Sequence, residues 1–190
     1  HSPLMEPILD AFEAVARTVA LSPPRIPVAC NLTGQWATAV AVYDSILSRD
    51  RTYRDAALGA AQTLAWAGRF DQALHRYDRW IAENGKDGEA ALARARTLAW
   101  AGRLNTAEAS YREIVADGEV LEGTKGVAIV AAWRGDLFRS EGLWRAVTTE
   151  YPKDAEAWVG LAQVLRWSGR PEEAGEALDQ HQRQCRDEEH

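Results

Sequence analysis

The sequence predicts an all-α protein, folded as a solenoid of antiparallel helix hairpins. The segment TLAWAGR fills residues 63–69 and returns unchanged at residues 97–103, which is 34 residues further along the chain. Looser copies follow in the same phase, VAAWRGD at residues 130–136 and VLRWSGR at residues 164–170. A fixed period of about 20–50 residues is typical of stacked repeats, each of which is one supersecondary unit. The composition is rich in alanine, leucine, arginine and glutamate and favours helix.

A glycine divides each repeat into two predicted helices. Gly68, Gly102, Gly135 and Gly169 are separated by 34, 33 and 34 residues, and Gly34 lies 34 residues before the first of them. Glycine adopts the left-handed backbone that commonly ends a helix without steric cost. We therefore expect one hairpin turn near each of the four later glycines, and one further helix after Gly34.

The repeats divide the chain, which has the length of one domain, into seven predicted parts. Residues 4–21 have apolar side chains at helical spacing and are predicted to form a capping helix, and the proline-rich residues 22–33 an extended connector. A half repeat at residues 34–53 precedes full repeats at residues 54–87, 88–120, 121–154 and 155–188. Because no further helix is predicted after the last repeat, we expect exposed apolar surface or self-association at the C-terminal end.

Composition and charge exclude several classes of function. The net charge of −6 argues against nucleic-acid binding, which requires a basic surface. No uncharged apolar run reaches the roughly 18–20 residues of a membrane-spanning helix. Cys30 and Cys185 are 155 residues apart in the chain, so in an elongated solenoid we expect no disulfide between them. The compartment stays open, periplasmic for a component of an export system and cytoplasmic otherwise.

Signals for catalysis and metal binding are poor. His75 and His181 fall on second helices without a cluster of partners, and the other two histidines are terminal. His181 and Cys185 are four residues apart, but two ligands do not make a zinc site. Residues 118–125, GEVLEGTK, lack the Gly-Lys-Ser/Thr ending of a phosphate-binding loop. We therefore predict no catalytic residue, no metal, no cofactor and no enzymatic activity.

One position of the repeat always carries tryptophan, and these four residues are half of the eight tryptophans: Trp66, Trp100, Trp133 and Trp167. We name them the tryptophan column. Helical spacing places three other positions on the same face of the first helix. These are an acidic column (Asp55, Glu89, Glu122, Glu156), a small-residue column (Gly59, Ala93, Gly126, Gly160) and a mixed column (Gln62, Arg96, Ile129, Gln163).

The tryptophan column and the acidic column each have two interpretations. The indoles either pack between hairpins as buried spacers, which is the usual role of large aromatic residues, or form an exposed surface above a floor of small residues. We favour partial exposure, because the small floor residues leave room for a ligand. The carboxylates either form the acidic rim of a groove or only complement the dipole of the helix that they begin.

The four full repeats resemble the tetratricopeptide repeat family. The family pattern has small residues at the eighth and twentieth positions of the repeat, where this chain has Ala61, Ala95, Ala128 and Ala162, and Ala73, Ala107, Ser140 and Ala174. Pro152 also fits the pattern. Three residues depart from it, because Trp80 and His181 replace a small residue and Arg94 lies at a position that is normally buried.

The resemblance implies a right-handed superhelix whose first helices line an inner, ligand-binding groove. We therefore expect a non-catalytic scaffold that binds a protein or peptide partner through the tryptophan column, the acidic column, Gln62, Arg96 and Gln163. The phrase LAWAGR also resembles repeats that precede outer-membrane barrels in bacterial exopolysaccharide-export proteins. The alternative is therefore a scaffold that contacts polysaccharide.

Overall fold

The structure is a computed structural model that describes residues 36–186. The predicted capping helix at residues 4–21 and the connector at residues 22–33 lie outside this range. The described chain forms nine α-helices and no strand: α1 (Trp36–Arg49), α2 (Arg54–Trp66), α3 (Phe70–Asn84), α4 (Gly88–Trp100), α5 (Leu104–Ala116), α6 (Val120–Trp133), α7 (Leu137–Glu150), α8 (Ala155–Trp167) and α9 (Pro171–Arg186).

The helices stack in chain order as a solenoid, which confirms the predicted fold class. Consecutive helices pack against each other throughout the described residues. The pairs α2–α3, α4–α5, α6–α7 and α8–α9 form four hairpins, and α1 packs against the first of them. Such a repeat is stabilised by its own core and by its interfaces with the neighbouring repeats.

Hairpin turns lie where the repeated glycines predict them. In the second copy of TLAWAGR, the backbone of Gly102 is left-handed, with φ of 74°, and Gly68 has φ of 72° in the first copy. The Arg103 amide donates to the Leu98 carbonyl at 2.9 Å, and the Gly102 amide donates to the Ala99 carbonyl at 2.9 Å. These two bonds satisfy carbonyls that the end of α4 would otherwise leave unpaired.

Buried alanines allow the two helices of each hairpin to pack closely. Ala61, Ala95 and Ala128, at the same position of successive repeats, are completely buried, and Ala162 is almost so. Larger apolar side chains from both helices surround them and continue from one hairpin to the next. The core is therefore a continuous layer along the solenoid.

The residues that depart from the family pattern have local partners. The Trp80 side chain is buried, and its indole N–H donates to Asp87 Oδ2 at 3.0 Å. The Arg94 guanidinium reaches Asp78 at 2.6 Å and Ser110 at 3.3 Å, between the second helices α3 and α5. His181 stacks on the ring of Trp158. These contacts accommodate the unusual residues without interrupting the stack.

The first helices of the hairpins lie on the inner side of the solenoid. Helices α2 and α4 approach each other directly, as do α4 and α6, and α6 and α8. Neighbouring second helices lie farther apart than neighbouring first helices do. A cleft of about 500 Å³ lies between the second helices α7 and α9. A stack in which one layer of helices is closer than the other curves around the closer layer.

The last hairpin of the described residues exposes two large apolar side chains apart from Trp167, namely Val159 and Leu178. The same repeat positions in the third hairpin are Lys125 and Trp144, which contact the fourth hairpin. Val159 and Leu178 therefore face the place that a further hairpin would occupy. The expected exposed apolar surface is present at this end, although most of the exposed residues of α9 are polar.

Candidate ligand-binding face

The tryptophan column is exposed on the first helices. Helices α2, α4, α6 and α8 each end at a tryptophan of the column. The exposed fractions are 61% for Trp66, 37% for Trp100, 46% for Trp133 and 50% for Trp167. By contrast, Trp80, Trp144 and Trp158 are between 3% and 7% exposed. The column residues are therefore not fully buried spacers, and each has indole surface that a ligand could cover.

The indole N–H groups of the column are also available. Trp80 and Trp158 use their N–H groups within the protein, as donors to Asp87 at 3.0 Å and to the Pro152 carbonyl at 2.8 Å. Within residues 36–186, no acceptor pairs with the indole N–H of a column tryptophan. Each of these residues can therefore offer a ligand both an apolar ring face and a hydrogen-bond donor.

The small-residue column is not the open floor that we expected from the sequence. A side chain on Gly59 would lie within 2.7 Å of the Tyr43 ring, and one on Gly160 would lie within 2.6 Å of the Trp144 ring. Gly126 is still closer to Tyr111. In all three cases the ring belongs to the preceding second helix. At these three glycines the prediction of room for a ligand is wrong, because the protein's own aromatic residues fill that room.

The acidic column takes part in ion pairs between hairpins. Arg54 in α2 contacts Glu89 in α4 at 2.8 Å. The buried Lys125 ammonium in α6 contacts Glu122 at 2.8 Å and reaches Glu156 in α8 at 2.5 Å. Burial acts to lower the pKa of Lys125, but the hydrogen bonds to both carboxylates outweigh it and raise that pKa. Three members of the column are therefore partly neutralised by the protein itself.

Asp87 connects three helices at the same edge of the solenoid. Its carboxylate accepts from Arg54 in α2 at 2.8 Å, from Trp80 in α3 at 3.0 Å and from the Ala90 amide at the start of α4 at 3.1 Å. The hydrogen bond from the Arg54 guanidinium is the largest effect on this carboxyl, and it holds the pKa of Asp87 far below the ordinary value despite partial burial. Asp87 is therefore ionised at neutral pH and fixes the geometry of the first two hairpins.

Two tyrosines that the sequence analysis did not assign to the site join the mixed column. The Tyr77 hydroxyl lies 3.4 Å from Gln62 Oε1, and Arg96 lies beside the hydroxyls of Tyr77 and Tyr111. Burial raises the pKa of both tyrosines to about 12, so both hydroxyls are protonated at neutral pH. Tyr77 and Tyr111 occupy the same position of successive repeats, which the family pattern fills with a small or apolar residue. An aromatic residue with a hydroxyl at this position is their signal in the sequence.

Of the predicted residues of the first two hairpins, Asp55, Gln62 and Glu89 line one shallow cleft, whereas Trp66, Trp100 and Arg96 do not line it. It has a volume of about 310 Å³ and lies between α2 and α4, and its lining includes Asp55, Gln62, Tyr77 and Glu89. Gln163 is exposed on α8, one turn before Trp167. The structure thus places some of the predicted residues together and distributes the others along the inner face, as a long ligand would require.

Nothing in the described chain has the arrangement of a metal site or a membrane span. Among residues 36–186, no three His, Cys, Asp or Glu side chains are grouped so that they could bind a metal ion. No helix of the same part of the chain combines the length and the apolar character needed to cross a bilayer. The chemistry available on the inner face is stacking on indoles, hydrogen bonding and ion pairing.

Comparison with known protein families identifies the repeat. Two models described as tetratricopeptide repeat match residues 32–96 and residues 129–189, which together are more than half of the chain. The chain belongs to the tetratricopeptide repeat family. Repeats of this family typically form non-catalytic scaffolds that bind protein or peptide partners.

Solved structures of tetratricopeptide repeat proteins have the same fold. A tetratricopeptide repeat protein from Parabacteroides merdae is 22% identical, with a TM-score of 0.67 over 90% of this chain and 69% of that one. MamA is 13% identical, with a TM-score of 0.60 over 83% of this chain and 93% of that one. YrrB, described as having an unusual peptide-binding site, is 21% identical, with a TM-score of 0.53 over 90% of this chain and 89% of that one. At these identities the likeness concerns the fold alone.

One curated protein shares a short segment with this chain. It is mycoketide-CoA synthase from Mycobacterium tuberculosis, which is 54% identical over 37 residues, or 20% of this chain. The matched segment spans about 1% of the length of that protein. A match of this extent does not indicate a shared activity.

Proposed function

We propose that this protein is a non-catalytic scaffold whose inner face binds an extended segment of a protein partner. The observation that carries the proposal is the tryptophan column, in which an indole between 37% and 61% exposed recurs once in every full hairpin. Large aromatic side chains on a folded surface are costly to leave in water, and they are enriched where proteins bind partners. An extended ligand can contact all four indoles because they recur along the stack.

The remaining predicted residues have supporting roles in this proposal. Gln62, Arg96 and Gln163 lie one helical turn before a column tryptophan, so their polar groups can hydrogen-bond the main chain of a ligand. Glu89 and Glu156 form ion pairs that connect neighbouring hairpins, and Glu122 forms one within α6. Asp55 has no ion-pair partner within residues 36–186 and is free to contact a ligand. The peptide-binding site named for YrrB is consistent with this use of the fold.

A polysaccharide is the second candidate ligand. Exposed indole faces can cover the apolar C–H faces of sugar rings, and Gln62 and Gln163 offer amide groups to hydroxyls. This function would place the protein in the periplasm, as part of a polysaccharide-export system. The free N–H groups of the column favour a peptide, because peptide carbonyls are stronger and more regularly spaced acceptors than sugar hydroxyls.

Self-association through the C-terminal end is a separate proposal about partners. Val159 and Leu178 are exposed there, and the same repeat positions in the third hairpin contact a following hairpin. Sedimentation velocity over a range of concentrations would detect dimers, and Val159→Glu should remove them. Sedimentation as a monomer at every concentration would contradict this proposal.

Selection from a random library of 12-residue peptides, followed by fluorescence anisotropy, tests the peptide function. We expect the Trp100→Ala variant to bind the selected peptides at least tenfold more weakly than the parent protein does. Phe138→Ala is the matched control, because Phe138 is 90% exposed but lies at the start of α7 outside the column. Equal weakening by both substitutions, or selected peptides that bind independently of the column, would contradict the proposal.

A further inference from the structure

The spacing of neighbouring first helices agrees with one extended ligand conformation. Neighbouring first helices are in direct contact, and axes of packed helices are about 8–10 Å apart. Indoles that follow the helix axes recur about every 8–10 Å along the stack. An α-helical ligand repeats the same face about every 5.4 Å, and a β-strand about every 6.6 Å. A polyproline II segment repeats it every third residue, or about every 9.3 Å, which falls within this range.

The hydrogen-bonding capacity of the column agrees with this conformation. A polyproline II segment has no internal hydrogen bonds, so all of its carbonyls remain available as acceptors. The column provides donors without acceptors, since none of its indole N–H groups is paired within residues 36–186. Each tryptophan can stack on a pyrrolidine ring and donate to a neighbouring carbonyl. Proline suits such a site because it lacks an N–H and therefore needs no acceptor from the protein.

The charges near the column favour an uncharged ligand. The acidic column lies at the opposite end of the first helices, eleven residues before the tryptophans in α2. Eleven residues of helix span about 16 Å, which exceeds the Debye length of about 8 Å at physiological ionic strength. Three arginines that lie within three residues after a column tryptophan, Arg103, Arg134 and Arg170, are paired with carboxylates of second helices. Neither a basic nor an acidic sequence is therefore required for contact with the indoles.

We propose that the tryptophan column binds a proline-rich partner segment in the polyproline II conformation, with proline at every third position. This inference rests on the proposed peptide-binding function and specifies the chemistry of the peptide. Four indoles span three intervals, or about 24–30 Å, which corresponds to about eight to ten residues of polyproline II. A partner segment of about ten residues is enough to contact the whole column.

Binding of a peptide length series tests this inference. The probes are fluorescein-labelled peptides with one to five Ala-Pro-Pro triplets, and the readout is fluorescence anisotropy. We expect affinity to rise several-fold with each triplet until about the fourth and then to stay constant. Trp66→Ala removes the first indole, so the affinity of this variant should stop rising one triplet earlier. Phe138→Ala should leave the affinity for every peptide of the series unchanged.

Peptides of the same lengths made of Ala-Gly-Gly triplets are the control, because glycine does not hold the polyproline II conformation. Equal binding of both series, or affinity that does not change with length, would overturn the inference. If the proline peptides fail to bind but library-selected peptides without proline bind through the column, the inference fails and the peptide function stands. Column-dependent binding of a cello-oligosaccharide, with no peptide binding, would overturn both.

Discussion

At Gly126 the absence of a side chain allows Tyr111 of the preceding hairpin to lie against α6. The same contact recurs between Tyr43 and Gly59 and between Trp144 and Gly160. Each pair joins a second helix to the first helix of the next hairpin, so it sets how closely consecutive hairpins stack. The small residues of the inner face thus serve the stack, and the tryptophans on the same helices remain available to a ligand.

We predict that Gly126→Ala destabilises the protein by about 1–3 kcal/mol, which is the usual cost of overpacking a filled core. The added methyl group would overlap the ring of Tyr111, which is almost completely buried and cannot easily move. Gly142→Ala is the matched control, because nothing lies within 4 Å of the added methyl group on α7. That change should stabilise the helix by about 0.5–1 kcal/mol. Chemical denaturation measures both, and equal stability of the two variants would contradict the prediction.

At the scale of helices, carboxylates at the start of first helices join neighbouring hairpins. Asp87 is the N-cap of α4 and also binds Arg54 of α2, and Asp154 is the N-cap of α8 and also binds Lys125 of α6 at 3.3 Å. An aspartate at the start of a helix normally satisfies only one or two of its own amides. Here the same group also orients the preceding hairpin, so one residue sets both the helix start and the stacking.

Asp87→Asn should change how stability depends on pH. The pKa of Asp87 is lowered in the folded protein, so its stabilising effect is complete above the unfolded pKa of about 4 and is lost as the pH falls. The parent protein should therefore lose more unfolding free energy between about pH 5 and pH 2 than the Asp87→Asn variant. Asp136→Asn is the control, because Asp136 caps α7 at Arg139 without an ion pair. Urea denaturation at several pH values measures the difference, and parallel curves for all three proteins would contradict it.

At the scale of the whole molecule, the period of the sequence was sufficient to predict the fold. The glycines of TLAWAGR predicted the hairpin turns because a left-handed residue is a local requirement of the chain. The position of Trp100 at the exposed end of α4 also follows from the repeat. The surroundings of Gly126 and of Lys125 could not be predicted, because they depend on contacts between hairpins. Tyr111 meets Gly126 only after stacking, and Lys125 meets Glu156 in the same way.

In a stack of hairpins, the unfolding free energy that a mutation costs depends on whether another hairpin packs against the mutated position. Trp144 is 3% exposed and packs against the fourth hairpin, whereas Leu178 has the same repeat position, is 39% exposed and lies in the last hairpin of the described residues. We predict that Trp144→Ala costs about 3–5 kcal/mol of unfolding free energy. Leu178→Ala should cost about 1 kcal/mol or less. Thermal or chemical denaturation measures both losses, and similar losses would show that the two sites are packed alike.

An indole ¹⁵N–¹H NMR titration tests whether the tryptophan column is a binding surface. Each tryptophan gives one indole signal, which single Trp→Phe variants assign, and the ligand is a peptide of four Ala-Pro-Pro triplets. We expect the four column signals to shift together in a saturable manner, because these N–H groups are unpaired within the described chain. The column signals are those of Trp66, Trp100, Trp133 and Trp167. The signals of Trp80 and Trp158, whose N–H groups are bound to Asp87 and Pro152, should stay in place. Unchanged column signals in the presence of this peptide and of library-selected peptides would contradict the account.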